Sequence, residues 1–337
     1  MVPDNPKVKS KKRILSGVQP SGIQHLGNYF GAMKNHVEMQ DSGFESFIFI
    51  ADLHSLTTVK DPQSLRELVV SLALDYLALG LDPDKTVFFR QSDVPEHTEL
   101  TWILDCVTPV SMLEQAHAYK DAVSKGLKDA TAGLFNYPVL MAVDILIYKP
   151  DFVPVGKDQK QHVEIARDLA GKFNRVYGEV FKLPEPYIPK DFGYIIGTDG
   201  ENKMSKSYGN VINFFTDEKT IKKQVMGIKT DSTSLEAPKD PDKDQVFKYY
   251  SYFASDKEIN SLAEKYRAGG FGYGDAKKLL LEKILNHFKP FRQKREELKN
   301  NLDYVKSVFD EGAVRAREVA SKTKEEVWKA TGLDLFK

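Results

Sequence analysis

Short apolar runs alternate with longer amphipathic stretches over the first half of the chain, and that alternation leaves few folds open. Arg13–Val18, Phe47–Ala51, Thr86–Phe89 and Phe152–Val155 read as buried strands. Between and after them, Tyr29–Met39, the stretch from Asp61 to Gly80, Phe135–Tyr148 and Asp158–Phe173 carry apolar residues at helical spacing. Leu65, Leu68, Val69, Leu72 and Leu79 share one face of the second of these. Strands that alternate with helices predict an α/β fold with a doubly wound parallel sheet. Glu96–Lys128 also reads as helical, with Trp102, Leu104 and Leu113 as core, and forms an insertion at about 96–135. Gly193–Ser207 reads as a strand leading into a loop.

After about Phe215 the strand signals fade. Charged helical patterns occupy Thr216–Met226, Asp244–Ala254, Asp256–Ala268, Asp275–Lys299 and Asn301–Ala320, separated by a loop at Asp231–Lys243. The organisation expected is a loose tail over 1–12, a catalytic α/β domain over 13–215 and an all-helical domain over 216–337. The last helix is expected to reach back to the first domain. The 337 residues suit two domains. Lys+Arg and Asp+Glu both number 48, so no net field draws the chain to nucleic acid, and RNA binding falls to local basic faces. One cysteine, Cys106, excludes an internal disulfide and a Cys-rich metal site, and reads as a small buried apolar residue. Met1–Arg13 is polar and basic without an apolar stretch, and no run approaches the length of a membrane span. The expectation is a cytoplasmic protein.

The first motif is His25-Leu26-Gly27-Asn28, after a strand and the turn Gln19-Pro20-Ser21-Gly22. At the carboxyl end of a parallel strand, helix amides and a glycine receive phosphate, and His25 and Asn28 add donors. Taken alone, these four residues also fit a capped helix start with a surface histidine. Lys203-Met204-Ser205-Lys206-Ser207 is the second. Two flexible point charges flanking a serine suit a pyrophosphate that moves as it leaves. The third is a helix face: Tyr137, Met141 and Asp144 fall at i, i+4 and i+7, with Pro138 suited to a first helical turn. Indole has an apolar plate and one N–H donor, and an aromatic, a thioether and a carboxylate acceptor match it. A helix aspartate paired with a basic residue is the other reading of Asp144. His54 is read either as a pocket residue or as a packed core histidine, and Asp158 as a helix N-cap.

With both motifs in order, the chain resembles the class I aminoacyl-tRNA synthetases, whose signatures are of the His-Xxx-Gly-His/Asn and Lys-Met-Ser-Lys-Ser types. The likeness is to the tryptophanyl family over nearly the whole chain. It rests on Gly17-Val18-Gln19-Pro20-Ser21-Gly22, on Tyr137 to Leu146, and on Val153-Pro154-Val155-Gly156-Lys157-Asp158-Gln159-Lys160-Gln161-His162. The resemblance implies a Rossmann-like catalytic domain and a helical anticodon-binding domain. It implies ATP contacts from Gln19, His25, Gly27, Asn28, Gly156, Asp158, Lys203, Met204, Ser205 and Lys206. Of these, Lys203, Lys206, Ser205, His25 and Asn28 would serve catalysis. The tryptophan site would comprise His54, Tyr137, Met141, Asp144, Ile145, Val153 and Gln159.

The reaction implied joins tryptophan to ATP as an adenylate, then passes it to the 3′ terminal ribose of tRNA(Trp). Mg²⁺ would arrive with ATP, without a protein metal cage. A tyrosyl enzyme of the same fold is the alternative, followed by a non-catalytic RNA-binding paralogue. A homodimer is implied, with the inserted helices around Trp102 as interface. Tyr273 and Lys277, beside a glycine-rich break, are the candidate tRNA contacts, within a loop at Gly272–Lys277. The chain departs from the family at Gln115, where an arginine is frequent, and at Lys157, where an acidic residue is common. Lys120, Lys125 and Lys128 all remain candidates for one ATP-contacting lysine.

Overall fold

The structure is a computed structural model and describes residues 11–116, 119–120, 130–156, 160–188 and 194–335. Among these, five parallel strands form one sheet in the order β3–β2–β1–β4–β5: β1 Arg13–Val18, β2 Glu45–Ile50, β3 Thr86–Arg90, β4 Phe152–Pro154 and β5 Glu185–Tyr187. The chain winds outward from β1 to β3 and then returns to the other side of β1. The gap between β1 and β4 is thus a topological switch point, where an open α/β sheet leaves a crevice at its carboxyl ends. The alternation of side chains divides the sheet into two faces. Ile48, Ile50 and Phe88 point into one core, and Leu15, Phe47, Phe49, Val87 and Phe89 into the other. Gly17 lets β1 lie beside β2, because a Cβ there would fall 2.3 Å from the Phe49 ring.

The helices of this half are α1 (Leu26–Asn28), which runs through a π-helical turn at Tyr29–Met33 into α2 (Lys34–Met39), then α3 (Asp52–Ser55), α4 (Pro62–Ala78), α5 (Glu96–Asp105), α6 (Val110–Glu114), α7 (Ala132–Leu146) and α8 (Lys160–Tyr177). α4 begins where Asp61 accepts the Ser64 amide, with Pro62 at its first position, and stops before Gly80 at φ +101°. The sequence-based expectations need four corrections here. Trp102 is 72% exposed and is not core, whereas Leu104 and Leu113 are buried. Cys106, on the same helix end, is exposed. Pro138 lies inside α7, past its first turn, so the Leu134 carbonyl loses its helical donor. The segment 194–207 contributes no strand. It is a turn with single bridge contacts at Ile196 and Lys203.

The helical part comprises α9 (Glu218–Met226), α10 (Gln245–Ser251), α11 (Asp256–Ala268), α12 (Tyr273–Lys299) and α13 (Leu302–Thr331). It shares its core with the sheet. One continuous cluster joins Ile48 and Phe88 to Leu26 and Met33 and on to Leu280, Ile284 and Phe288. α13 returns along β3, where the Phe309 ring packs at 5.4 Å on that of Phe88. Ala316, Ala320 and Val327 then enter the other core. Tyr273 opens α12 with Gly272 as its N-cap, so Gly272–Lys277 is the first turn of a helix and not a loop.

Candidate active site

A cavity of about 1370 Å³ opens at the switch point. That exceeds the ordinary range for one small ligand and leaves room for two. One end is built from the two signature motifs, which touch. The Gly27 amide faces the Met204 Sδ at 3.3 Å, and a Cβ on Gly27 would lie 3.2 Å from Met204 Cβ. Asn28 Oδ1 accepts the His25 amide at 3.1 Å, which fixes the helix start. His25 is buried, and its Nδ1 has no hydrogen-bond partner among the described residues. Burial pushes the imidazole down to about 4, with Lys206 and then Lys203 acting in the same direction. His25 is therefore neutral at physiological pH.

Lys206 Nζ donates to the Ser21 carbonyl at 2.5 Å and lies 3.4 Å from the place a Gly22 Cβ would take. The turn before the first motif and the loop of the second thus form one lip. Asn210 shapes that loop. Its Oδ1 accepts the Ser205 amide at 2.8 Å, and its Nδ2 donates to Asp199 and to the Lys203 carbonyl. Only a glycine at 197 leaves room for it, since a Cβ there would meet the Asn210 amide at 2.1 Å. Asn210 and Gly197 carry no motif signal in the sequence.

The other end is the α7 face. Tyr137, Met141, Asp144 and Ile145 line the cavity together with Val153 from β4 and His54 from α3. The rings of Tyr137 and His54 meet edge to face at 6.3 Å. Asp144 is buried, and each of its oxygens is held by neighbours. His97 Nδ1 lies 2.5 Å and Gln91 Nε2 2.8 Å from Oδ1; His54 Nε2 and Gln91 Nε2 both lie 2.9 Å from Oδ2. Burial alone would raise the carboxyl, but the bonds from His54 and His97 outweigh it and bring it down to about 2. His54 is thus a pocket residue and a partner of Asp144 at once.

Of the residues singled out from sequence, Gln19, His25, Gly27, Asn28, His54, Tyr137, Met141, Asp144, Ile145, Val153, Gly156, Lys203, Met204, Ser205 and Lys206 all line this one cavity. Asp158, Gln159, Lys125 and Lys128 lie outside the described residues. Tyr273 and Lys277 stand apart on α12. The Tyr273 hydroxyl donates to Asp231 at 2.7 Å, and Lys277 Nζ donates to the Met226 carbonyl at 3.0 Å. Gln91 and His97 were not singled out. Each is a lone polar residue in sequence, and only the fold brings them behind Asp144. Among the described residues no group of three acidic, histidine or cysteine side chains could hold a metal ion.

Residues 7–289 match the family of tRNA synthetases class I (W and Y). A tryptophan–tRNA ligase of Fusobacterium nucleatum is 57% identical over 310 residues, 92% of this chain and 94% of that protein. One from Rhodopirellula baltica is 52% identical over 95% of this chain and 99% of that protein. A crystal structure of the Campylobacter jejuni tryptophanyl-tRNA synthetase, complexed with ADP and tryptophan, superposes with a TM-score of 0.89 at 47% identity, covering 95% of this chain and 99% of that one. These likenesses span the sheet, both signature motifs and most of the helical part. The chain belongs to the class I tRNA synthetase (W and Y) family, in its tryptophan–tRNA ligase branch.

Proposed function

We propose that the cavity activates tryptophan with ATP and then transfers it to the 3′ terminal ribose of tRNA(Trp). One observation carries this: a single cavity has helix-start amides and two lysines at one end and an apolar slot closed by a buried carboxylate at the other. ATP fits the first end, where a buried His25 Nδ1 lacks a partner among the described residues and Lys203 and Lys206 supply cationic groups. Gln19, Gly27, Asn28, Gly156, Met204 and Ser205 complete that contact set, and Asp158 is proposed for the ribose. Tryptophan fits the second end, between Tyr137, Met141, Ile145, Val153 and His54, with its ring N–H directed to Asp144. Gln159, with Tyr137, is proposed for the amino group.

The tryptophan carboxylate oxygen attacks the α-phosphorus as the bond to pyrophosphate breaks. The side chains position and stabilise charge rather than bond covalently. Lys203 and Lys206 follow the departing pyrophosphate. Mg²⁺ is proposed to enter on the phosphates and water. A cytoplasmic setting and a homodimer through the exposed face at Trp102 belong to the same reading. So does an anticodon contact on the helical part near Tyr273 and Lys277. No described helix is long and apolar enough to cross a membrane.

ATP–pyrophosphate exchange with each amino acid tests the proposal. Tryptophan alone should support it, and exchange driven by tyrosine would favour the tyrosyl alternative. A site built on one buried acceptor rejects ligands without the donor by roughly 10⁴-fold. Asp144→Ala should therefore raise the KM for tryptophan far more than that for ATP. An unchanged tryptophan KM would remove Asp144 from ring recognition.

A further inference from the structure

Asp144 reaches the cavity from a helix, and two residues outside the cavity wall bond to its carboxylate. An ionised carboxylate offers about four acceptor directions. His97 and Gln91 take both on Oδ1, and Gln91 and His54 take both on Oδ2. Only His54 among these donors lines the cavity. Gln91 and His97 are both 0% exposed.

Each of these two is itself fixed from behind. Gln91 follows β3, and its Oε1 accepts the Leu53 amide at 3.2 Å, at the start of α3. His97 sits on α5, and its Nε2 lies 2.8 Å from the hydroxyl of the fully buried Tyr148. The carboxylate can only accept, so Nδ1 of His97 carries a hydrogen. Nε2 pairs with the Tyr148 hydroxyl. The chain Tyr148–His97–Asp144 and the bridge Leu53–Gln91–Asp144 come from different elements and meet on one carboxylate. Rotation of the carboxylate about its Cβ–Cγ bond would break bonds to both.

We propose that Gln91 and His97 are positioning residues for amino-acid choice: they clamp Asp144 from behind, so that the one acceptor direction a substrate ring N–H can claim is that now filled by His54. Binding then exchanges one donor, His54, for another, the substrate, while the rear pair stays in place. A loosened carboxylate would still accept a hydrogen bond, but not in a fixed direction, and discrimination would fall more than catalysis.

This rests on Asp144 being the ring acceptor, so the test separates the two claims. ATP–pyrophosphate exchange is measured with tryptophan and with its isostere carrying sulfur in place of the ring N–H. The readout is the ratio of their kcat/KM values. For the unmodified enzyme the ratio should be on the order of 10⁴-fold. A ratio near one would sink the reading of Asp144 itself, whatever the variants do. With that ratio high, His97→Leu should lower it about tenfold or more with the ATP KM unchanged. His97→Asn, whose amide nitrogen replaces Nδ1, should stay within about threefold of the parent. An unchanged ratio in folded His97→Leu, or equal loss in the Asn and Leu variants, would overturn the clamp. If His97→Leu does not fold, Gln91→Met removes the other rear donor and the same ratio decides: a fall supports the clamp and an unchanged value rejects it.

Discussion

His25 shows how one side chain's environment carries chemical information. Its folded pKa, about 4, lies below the ordinary 6.5 because it is buried and faces Lys206 and Lys203. A histidine depressed in this way contributes stability that is present above about pH 6.5 and is lost as pH falls toward 4, since the unfolded chain binds the proton first. A polyphosphate in the cavity acts in the opposite sense: its negative charge favours the imidazolium and raises the pKa. ATP binding between pH 4 and 6.5 should therefore take up a proton at His25. Calorimetry at pH 5.5, in two buffers of different ionisation enthalpy, measures net uptake. The ATP phosphates contribute to it as well, so the comparison is with His25→Gln, which should take up less by a sizeable part of one proton. Equal uptake in both proteins would place His25 away from the phosphates. Cys106 illustrates the reverse case. Residue type alone suggests a buried thiol, but it caps the end of α5 at the surface.

Among the elements, α13 depends most on a single position. It covers β3, the outermost strand of the sheet, and an edge strand left open would be free to pair with another chain. The approach is closest at Gly312, where an added Cβ would lie 1.8 Å from the Phe88 carbonyl oxygen and 2.7 Å from its carbon. Both are backbone atoms of a strand and cannot move aside. Gly312→Ala should destabilise the protein by roughly 3 kcal/mol, at the upper end of overpacking effects. Gly171 on α8 has no described atom within 4 Å of its added Cβ. Gly171→Ala should be neutral or stabilising by up to about 1 kcal/mol, through helix propensity. Thermal unfolding of the two variants compares them directly, and a neutral Gly312→Ala would mean that α13 does not lie against β3 this closely. Four of the five strands and most helices were legible because short apolar runs and a period of 3.6 are written in one segment at a time, whereas Glu185–Tyr187 carries no such run. What covers an apolar face is not written there. Trp102 reads as core by residue type, yet on α5 it stands opposite the buried Leu100 and Leu104 and points to solvent. The segment 194–207, expected as a strand leading into a loop, is a turn that Asn210, a residue outside it, holds in place. Both ends of the cavity were visible as motifs and a helix face, whereas Gln91 and His97 act only through tertiary contacts.

The whole molecule is held as one body by contacts between the sheet half and the helical part, among them a buried ion pair. Arg295 on α12 donates to Asp75 on α4 at 2.6 Å and to the Ser71 hydroxyl at 2.8 Å, and its guanidinium lies 5.4 Å from the Phe215 ring. Asp75 is 2% exposed. Burial pushes its carboxyl up to about 6, despite the opposing pull of Arg295 and, more weakly, of Lys206. Pairing therefore only partly offsets the desolvation of this charge. The sign follows from linkage. A carboxyl whose folded pKa lies above its unfolded value binds its proton more tightly when folded, so the contribution of this group is greatest below about pH 4 and declines as pH rises through 6. Removing the arginine intensifies this. In Arg295→Met the carboxyl keeps only the weaker pull of Lys206, and the folded protein must bury a poorly compensated charge or hold a proton against solvent pH. The variant should lose about 3 kcal/mol at pH 7.5 and less at pH 5, where protonation is cheaper. Adding Asp75→Leu removes the stranded charge and should bring the double variant back to within about 1 kcal/mol of the parent at pH 7.5, without the pH dependence that Asp75 contributes. Urea denaturation of the parent, both single variants and the double variant at the two pH values completes the cycle. A loss in Arg295→Met that is equal at pH 5 and pH 7.5, and not rescued by Asp75→Leu, would assign the role of Arg295 to its packing on Phe215 rather than to its charge.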